Sequence, residues 1–521
     1  MSALMVFLSV TPILVIFAVL VLFRRPADIT GLIGWLFTAV LAGLVFHTGL
    51  PVILRASASG LVASLPIALV VATSILQMTL MQKTGALQRI IVTLKTVSRG
   101  NQVVQILIIN VGVGTLLTAL GAVPVSVLPP IMLALGYSAF AAIALPAIGY
   151  DSLCTYALLG TPVVIFAQFT GSTPEAVGMY FARFMPVITT LIALGMLYIV
   201  GKWRMVLRGL LPAVITGLVA GFIAIGMNKV GLVTLTGIAS GAGVAIVMGL
   251  YLVVQHKKVF DRTELTDSDH ATEKEMSLGR ALSPWLILIV LSLVTNEPWL
   301  GIKRFLFDRV AMPWSIIPGQ PEKLRIFWQA YWWILVSTVL CLPLLRANGK
   351  VMKETLATWW KRAPRPVFSA AIFFAIAYVI NHSGKPGLVG ADGKWLLPDP
   401  QLNMVTLLAT ASAALFGKLY ALVAPYLGLL AGFISGSEGS AIAMLTKLHM
   451  TTAGKIGSSG MIIAAASAIG GGLASVISPA KLQNASAAID RIGMETDVIK
   501  TTAVIAIVIV LAVAGMAFVW A

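Results

Sequence analysis

The feature that most constrains this chain is a succession of apolar runs, many near the length a helix needs to cross a bilayer's hydrocarbon core. Met5–Phe23, Ile33–Leu50, Leu61–Met81, Pro186–Val200, Leu210–Met227, Leu232–Val254, Trp285–Val294, Tyr331–Leu345, Val367–Ile380 and Thr501–Trp520 are the clear ones. They do not alternate polar and apolar residues, as the strands of a membrane barrel do. Only 11% of the 521 residues are charged and 59% are hydrophobic. A soluble domain carries roughly 25% charged residues, so most of this surface must meet lipid. The expected class is therefore an all-α polytopic membrane protein.

The first run has no basic residue before it and is followed by Arg24 and Arg25, which reads as a retained anchor and not as a cleaved leader. The two cysteines, Cys154 and Cys341, lie in apolar segments and read as small packing residues, not as a disulfide or metal pair. No metal or other cofactor is expected.

A net charge of +17 is not a nucleic-acid signal once it is mapped. The positive residues sit in short loops: Arg24–Arg25; Lys83, Arg89, Lys95 and Arg99; Lys202, Arg204 and Arg208; His256–Arg262; Arg346–Arg365. Basic loops are retained on the cytoplasmic side. Alternating the spans then puts both termini and the loops 298–328 and 382–401 outside. Loop 298–328 is the weak point of that assignment, because it also carries Lys303, Arg304, Arg309, Lys323 and Arg325. Trp285, Trp299, Trp314, Trp328, Trp332 and Trp333 flank it as interfacial anchors would.

Two apolar regions are not simple spans. In 102–171, breaks fall at Thr118, Gly121, Pro124 and Ser126, at Gly149–Tyr150–Asp151–Ser152, and at Gly160–Thr161–Pro162. In 402–488, they fall at Ser435–Gly436–Ser437–Glu438–Gly439–Ser440, at Gly470–Gly471–Gly472, and at Ser478–Pro479. Broken backbone at membrane depth has to be buried in protein or line a wet cavity. The order of features matches in both regions, and paired interrupted segments point to a transporter site. Glycine-rich helices also match through ordinary small-residue packing. Each region needs an odd number of crossings and they start on opposite sides, so the repeats are expected to be inverted, with room for a re-entrant hairpin in each. The chain divides accordingly into N-terminal helices (1–101), a first broken-helix region (102–171), a central scaffold with a cytoplasmic loop at 256–282 and an external loop at 298–328 (172–401), a second broken-helix region (402–488), and a C-terminal helix (489–521).

Ionisable residues inside a membrane are costly and are functional candidates by default. Asp151 lies beside Ser152 and Thr155, and Glu438 lies in the glycine–serine break. Glu438 reads either as a first-turn carboxylate favoured by the helix dipole or as a proton or substrate site. His382 ends an apolar helix and reads as an interfacial residue or as a third coupling candidate. Lys481 reads as a side chain snorkelling to the cytoplasmic face. Half-helix N-termini carry free N–H groups and partial positive charge, and hydroxyls add neutral donors. Thr118, Gly121, Ser126, Ser152, Thr155, Thr161, Ser435, Gly436, Ser437, Ser440 and Ser478 are thus the candidate contacts for a small organic anion, with Glu438, Asp151 and His382 as proton-coupling candidates.

The chain resembles the lactate permease family of bacterial transporters along nearly its full length. The resemblance is carried by Lys83–Thr84–Gly85, Leu159–Gly160–Thr161–Pro162–Val163, Asn381–His382–Ser383–Gly384, Phe433–Ile434–Ser435–Gly436–Ser437–Glu438 and Val476–Ile477–Ser478–Pro479. It implies proton-coupled uptake of lactate or glycolate across the bacterial inner membrane, and an ion-transporter-superfamily-like fold of inverted repeats with elevator-like movement. Two departures bear on the substrate. Thr118–Ala119–Leu120–Gly121–Ala122–Val123–Pro124 stands where the family has an acidic, glycine-rich stretch, and Tyr150–Asp151 stands where it has Asn-Thr. Sodium coupling, export, and a dicarboxylate or sulfonate substrate remain alternatives, with an ion channel behind them. No HExxH, Walker A or catalytic triad is present, so an enzyme is not expected. The expected partners are the bilayer, the anion with H+ or Na+, and a second copy of the chain in a homodimer.

Overall fold

The computed structural model describes residues 2–98, 100–263, 265–296 and 301–521. Arg99 and Trp299, named above as a loop charge and an interfacial anchor, lie outside them. Among the described residues, eleven helical segments are long and apolar enough to cross a membrane. The protein is a mostly helical multi-pass membrane protein.

Several runs resolve differently from their hydropathy. Leu61–Met81 is not one helix. A break at Ser64 separates Leu50–Ala63 from Leu65–Lys83, and Pro66 falls where a proline is tolerated, in the second helix's first turn. The helix Met185–Lys229 contains a reversal at Gly201–Lys202, where Lys202 has φ 52° and ψ −152°. Gly217 lies against Pro186 and Thr190, and Gly209 lies against Leu197. The segment is therefore two antiparallel arms, Pro186–Val200 and Leu210–Met227 in the sequence reading. The glycines permit this, because any Cβ at Gly217 would sit 1.9 Å from Thr190 Oγ1.

The all-α expectation needs one correction. Strands Met312–Ile317 and Gln320–Leu324 form an antiparallel hairpin within 298–328. The β-branched and aromatic residues of the first strand suit a pleated ribbon. Trp285 and Trp328 are interior residues, 2% and 4% exposed, and not the anchors expected of them. Loop 256–282 holds a short helix, Asp267–Glu275, opened by a capping box between Thr266 and Asp269.

The loops sort into two contacting groups. Asp28 pairs with Arg365, Lys83 with Glu354, Arg89 with Glu273, and Lys95 with Asp269 at 2.8 Å. Burial opposes ionisation of Asp269, but the bonds from Lys95 and Thr266 outweigh it and hold its carboxyl below the usual range. In the second group, Gly49 N–H donates to Lys385 O, Gly384 N–H donates to Thr48 Oγ1, and Lys303 pairs with Glu175 at 2.7 Å. Phe184 and Trp520 meet at a tilt with ring centroids 4.9 Å apart. Between the groups, the helix Pro364–His382 packs on Leu50–Ala63 and Ala27–Leu44. Gly60 allows a close approach to the Phe374–Ala375 backbone, and Gly31 to Ile372.

Candidate functional site

From Gln102 and from Tyr420 onward the two broken regions run through a similar order of elements, the second after an additional helix, Met404–Phe416. The first unit runs Gln102–Ile106, a π-turn Leu107–Val113 and Gly114–Ala119, then a break, then Pro124–Ala134, a turn, Ala139–Gly149, a 3-10 segment Tyr150–Tyr156, and Ala157–Thr170. The second runs Tyr420–Ser435, a break, Glu438–Ile456, a turn, Gly460–Leu473, a 3-10 segment Ala474–Ile477, and Pro479–Ala487. Each first break turns on a glycine in the left-handed region, Gly121 at φ 88° and Gly436 at φ 68°. The first unit's last helix departs from helical geometry at Leu158, Leu159 and Gly160, all at positive φ.

The 3-10 break of the first unit meets the first break of the second. Thr155 donates its hydroxyl to Glu438 Oε1 at 2.8 Å, across 283 positions of sequence. Glu438 is 8% exposed and Asp151 1%. Glu438 Oε2 and both carboxylate oxygens of Asp151 lack a well-formed hydrogen bond among the described residues, with only the Cys154 thiol, besides Thr155, approaching Glu438 and the Val476 N–H approaching Asp151. Gly472 packs against this pair from the side of Gly460–Leu473. A Cβ there would lie 2.2 Å from Cys154 Sγ and 2.6 Å from Glu438 Oε2. Cys154 is thus packed beside the carboxylate, a position the sequence reading did not give it.

The sequence reading also discounted Lys481, which turns inward. Its ammonium contacts Ser475 Oγ and stands 5.7 Å from the centroid of the Tyr150 ring. Its positive charge favours the ionised form of both Asp151 and Glu438, with no ion pair to either among the described residues. The signal was available, since Lys481 follows the Ser478–Pro479 break, but hydropathy does not tell which way a side chain leaves a helix.

The remaining candidates divide. Ser152 shares a 2.9 Å bond with Thr115, and its carbonyl accepts from Thr189 at 3.3 Å, so it ties the 3-10 break to its own unit and to the helix Met185–Lys229. Ser435 donates to Ala431 O and Ser437 O, which shapes the tip around Gly436. Ser437 caps the next helix by accepting from Ser440 N, while Ser440 Oγ is buried without a partner among the described residues. Ser478 is buried at the start of Pro479–Ala487. Thr118 donates back to Gly114 O, and Gly121 lies against Ser74. Ser126 is exposed. Thr161 donates to Leu158 O and lines a separate cleft with Ser292, Asn296 and Trp333. His382 belongs to another cluster, 2.9 Å from Lys385 Nζ and edge-on to Trp395. His449, passed over in the sequence, is fully buried between Tyr420 OH at 2.8 Å and Ser467 Oγ at 2.7 Å. Its signal was a lone histidine in an apolar helix.

Among the described residues, no group of three or more His, Cys, Asp or Glu is placed to hold a metal ion. The arrangement instead offers two buried carboxyls, one ammonium and several hydroxyls where two interrupted helical units touch. A family model described as L-lactate permease matches residues 5–521. The chain belongs to the L-lactate permease family. It is 24% identical to the glycolate permease GlcA of Escherichia coli (strain K12), over 95% of this chain and 91% of that one. It is 23% identical to the L-lactate permease of Salmonella typhimurium, over 84% and 81%. It is likewise 23% identical to the L-lactate permease of Bacillus subtilis, over 95% and 92%. A member of this permease family is a membrane transporter and not an enzyme.

Proposed function

We propose that this lactate permease family member carries a small monocarboxylate, a 2-hydroxy acid such as lactate or glycolate, into the bacterial cell together with a proton. The observation that carries the reading is the Thr155–Glu438 bond between the two breaks, with two buried carboxyls that no side chain pairs as an ion pair among the described residues. A low-dielectric site disfavours the charged form of a carboxyl, and an arriving anion disfavours it further, which links proton binding to anion binding. Serine and threonine hydroxyls at the breaks supply neutral donors for the carboxylate and the 2-hydroxyl. The names of the relatives, lactate and glycolate permeases, agree with a substrate of that size.

In this reading the two units are inverted repeats, each entering the membrane as a re-entrant hairpin, and they move together against the helices of 172–401. The loop group holding Lys83, Lys95 and Arg365 faces the cytoplasm, as its basic residues favour. A cysteine placed at Lys95 should resist impermeant label in intact cells, and labelling from outside would reverse the orientation.

The functional test compares Glu438→Gln with Asp151→Asn in proteoliposomes. The amide of the coupling residue imitates its protonated form. That variant should retain lactate exchange and lose at least about tenfold of the accumulation driven by a pH gradient, an effect of about 1.4 kcal/mol or more. Normal accumulation in both variants rules both residues out of coupling. Transport of a dicarboxylate or sulfonate in place of lactate and glycolate rules out the substrate.

A further inference from the structure

We propose that Lys481 is the residue that holds the substrate's carboxylate, and that it does so in place of its attraction to Asp151. The inference deepens the reading above and rests on it, because it names the cation of a site there assigned only hydroxyls and carboxyls.

The geometry is that of an ammonium turned in beside the break that carries Tyr150 and Asp151, with no ion pair to Asp151 among the described residues. The helix Pro479–Ala487 directs Lys481 back toward the break, where Ser475 Oγ takes one of its donors and the Tyr150 ring lies beside it. An ammonium has three donors, so two remain to be met. Asp151 attracts it, yet among the described residues neither Asp151 oxygen accepts a side-chain hydrogen bond, and the donor that approaches the carboxyl is the Val476 backbone N–H. A buried carboxylate with no bonded counter-charge is an expensive arrangement, and a closed ion pair would relieve it. Its persistence leaves both groups available to a third one. The groups facing the ammonium from the surrounding elements are Asp151, Tyr150 and Cys154 from the first unit and Glu438 from the second.

Charge counting then sets what can enter. With both carboxylates ionised, the two acids and one lysine sum to −1. A bound monocarboxylate takes the sum to −2, and one proton on Asp151 or Glu438 restores −1. A dianion needs two protons for the same result. One proton therefore accompanies a single carboxylate and two accompany a dianion, and a carboxylate on Lys481 displaces the negative charge of Asp151 from it.

The test uses the purified full-length protein and measures thermal shift and proteoliposome uptake. The ligands are L-lactate, glycolate, lactamide, a four-carbon dicarboxylate and a two-carbon sulfonate. The variants are Lys481→Met, Lys481→Arg, and the double variant Lys481→Met with Asp151→Asn, which removes both charges and keeps the protein testable if Lys481→Met alone does not fold. The double variant should recover wild-type thermal stability but show no shift with lactate, and its preference for lactate over neutral lactamide should fall at least tenfold. Lys481→Arg should retain that preference. A double variant that binds lactate like the wild type overturns the inference, since Lys481 is then only the structural partner of Asp151. If the wild type responds to the dicarboxylate or sulfonate and not to the hydroxy acids, the substrate reading fails, and the same comparison with that anion decides the role of Lys481. A wild type that responds to none of the anions overturns both.

Discussion

The two broken-helix units share an order of elements but make their breaks in different ways. The first bends its backbone: Leu158 and Leu159 lie at φ 51° and 55°, where an L-residue with a Cβ costs roughly 1–2 kcal/mol each. The second keeps its long helices regular and brings them together through glycine. A Cβ at Gly428 would stand 1.8 Å from Ser467 O, one at Gly432 2.1 Å from Gly471 O, and one at Gly470 2.1 Å from Pro425 O. Tyr420–Ser435 and Gly460–Leu473 therefore touch backbone to backbone, in the manner of small-residue membrane interfaces. The first unit supplies Thr155 and Asp151 from an irregular segment. The second supplies Glu438 from the first turn of a capped helix and Lys481 from beyond a second break. One half stores strain near the site, while the other holds its acid on a rigid seam.

The largest effect should come from filling that seam. Gly432→Ala forces backbone apart, and overpacking of this kind is expected to cost about 3 kcal/mol or to prevent folding. Gly114→Ala in the first unit meets its nearest atom at an ordinary 3.5 Å and should cost under about 1 kcal/mol. Melting of the two variants in detergent checks the contrast, and equal losses would remove the distinction between the units. A smaller effect is expected where the units join. Thr155→Val leaves Glu438 without its donor, and a hydrogen bond to a charged group is worth about 1.5–3 kcal/mol. A double-mutant cycle with Glu438→Gln should return a coupling of about 1 kcal/mol or more. A coupling near zero would mean that the two units are not joined through this pair. The smallest effect concerns the cap. Ser437→Ala removes the acceptor for Ser440 N and should destabilise by about 1 kcal/mol, read as a lower melting temperature. The corresponding helix of the first unit begins at Pro124 with no side-chain cap bond, so Val123→Ala should have no comparable effect.

Much of this was legible in the residues. Glycine, proline and serine at Gly121, Gly436 and Ser478–Pro479 marked backbone that departs from a helix in the fold. Asp151 and Glu438 stood out because a carboxyl in an apolar stretch has no cheap explanation. Ser126 and Thr161 were drawn in by residue type, and the fold leaves one exposed and turns the other to a different cleft. His382 is buried as part of a cluster with Lys385 and Trp395, since proximity to a helix end does not say which neighbours gather there.

The sequence by itself determined the class of this protein, its interrupted segments and its family, because hydropathy, glycine, proline and motif order are local properties that survive any arrangement of the helices. Only the tertiary structure decided that Thr155 reaches Glu438, that Cys154 and Gly472 close around that carboxylate, and that Lys481 points inward. Those contacts join residues far apart in the chain. Which of them form is settled by the close packing of helix against helix, and no stretch of sequence contains that information alone.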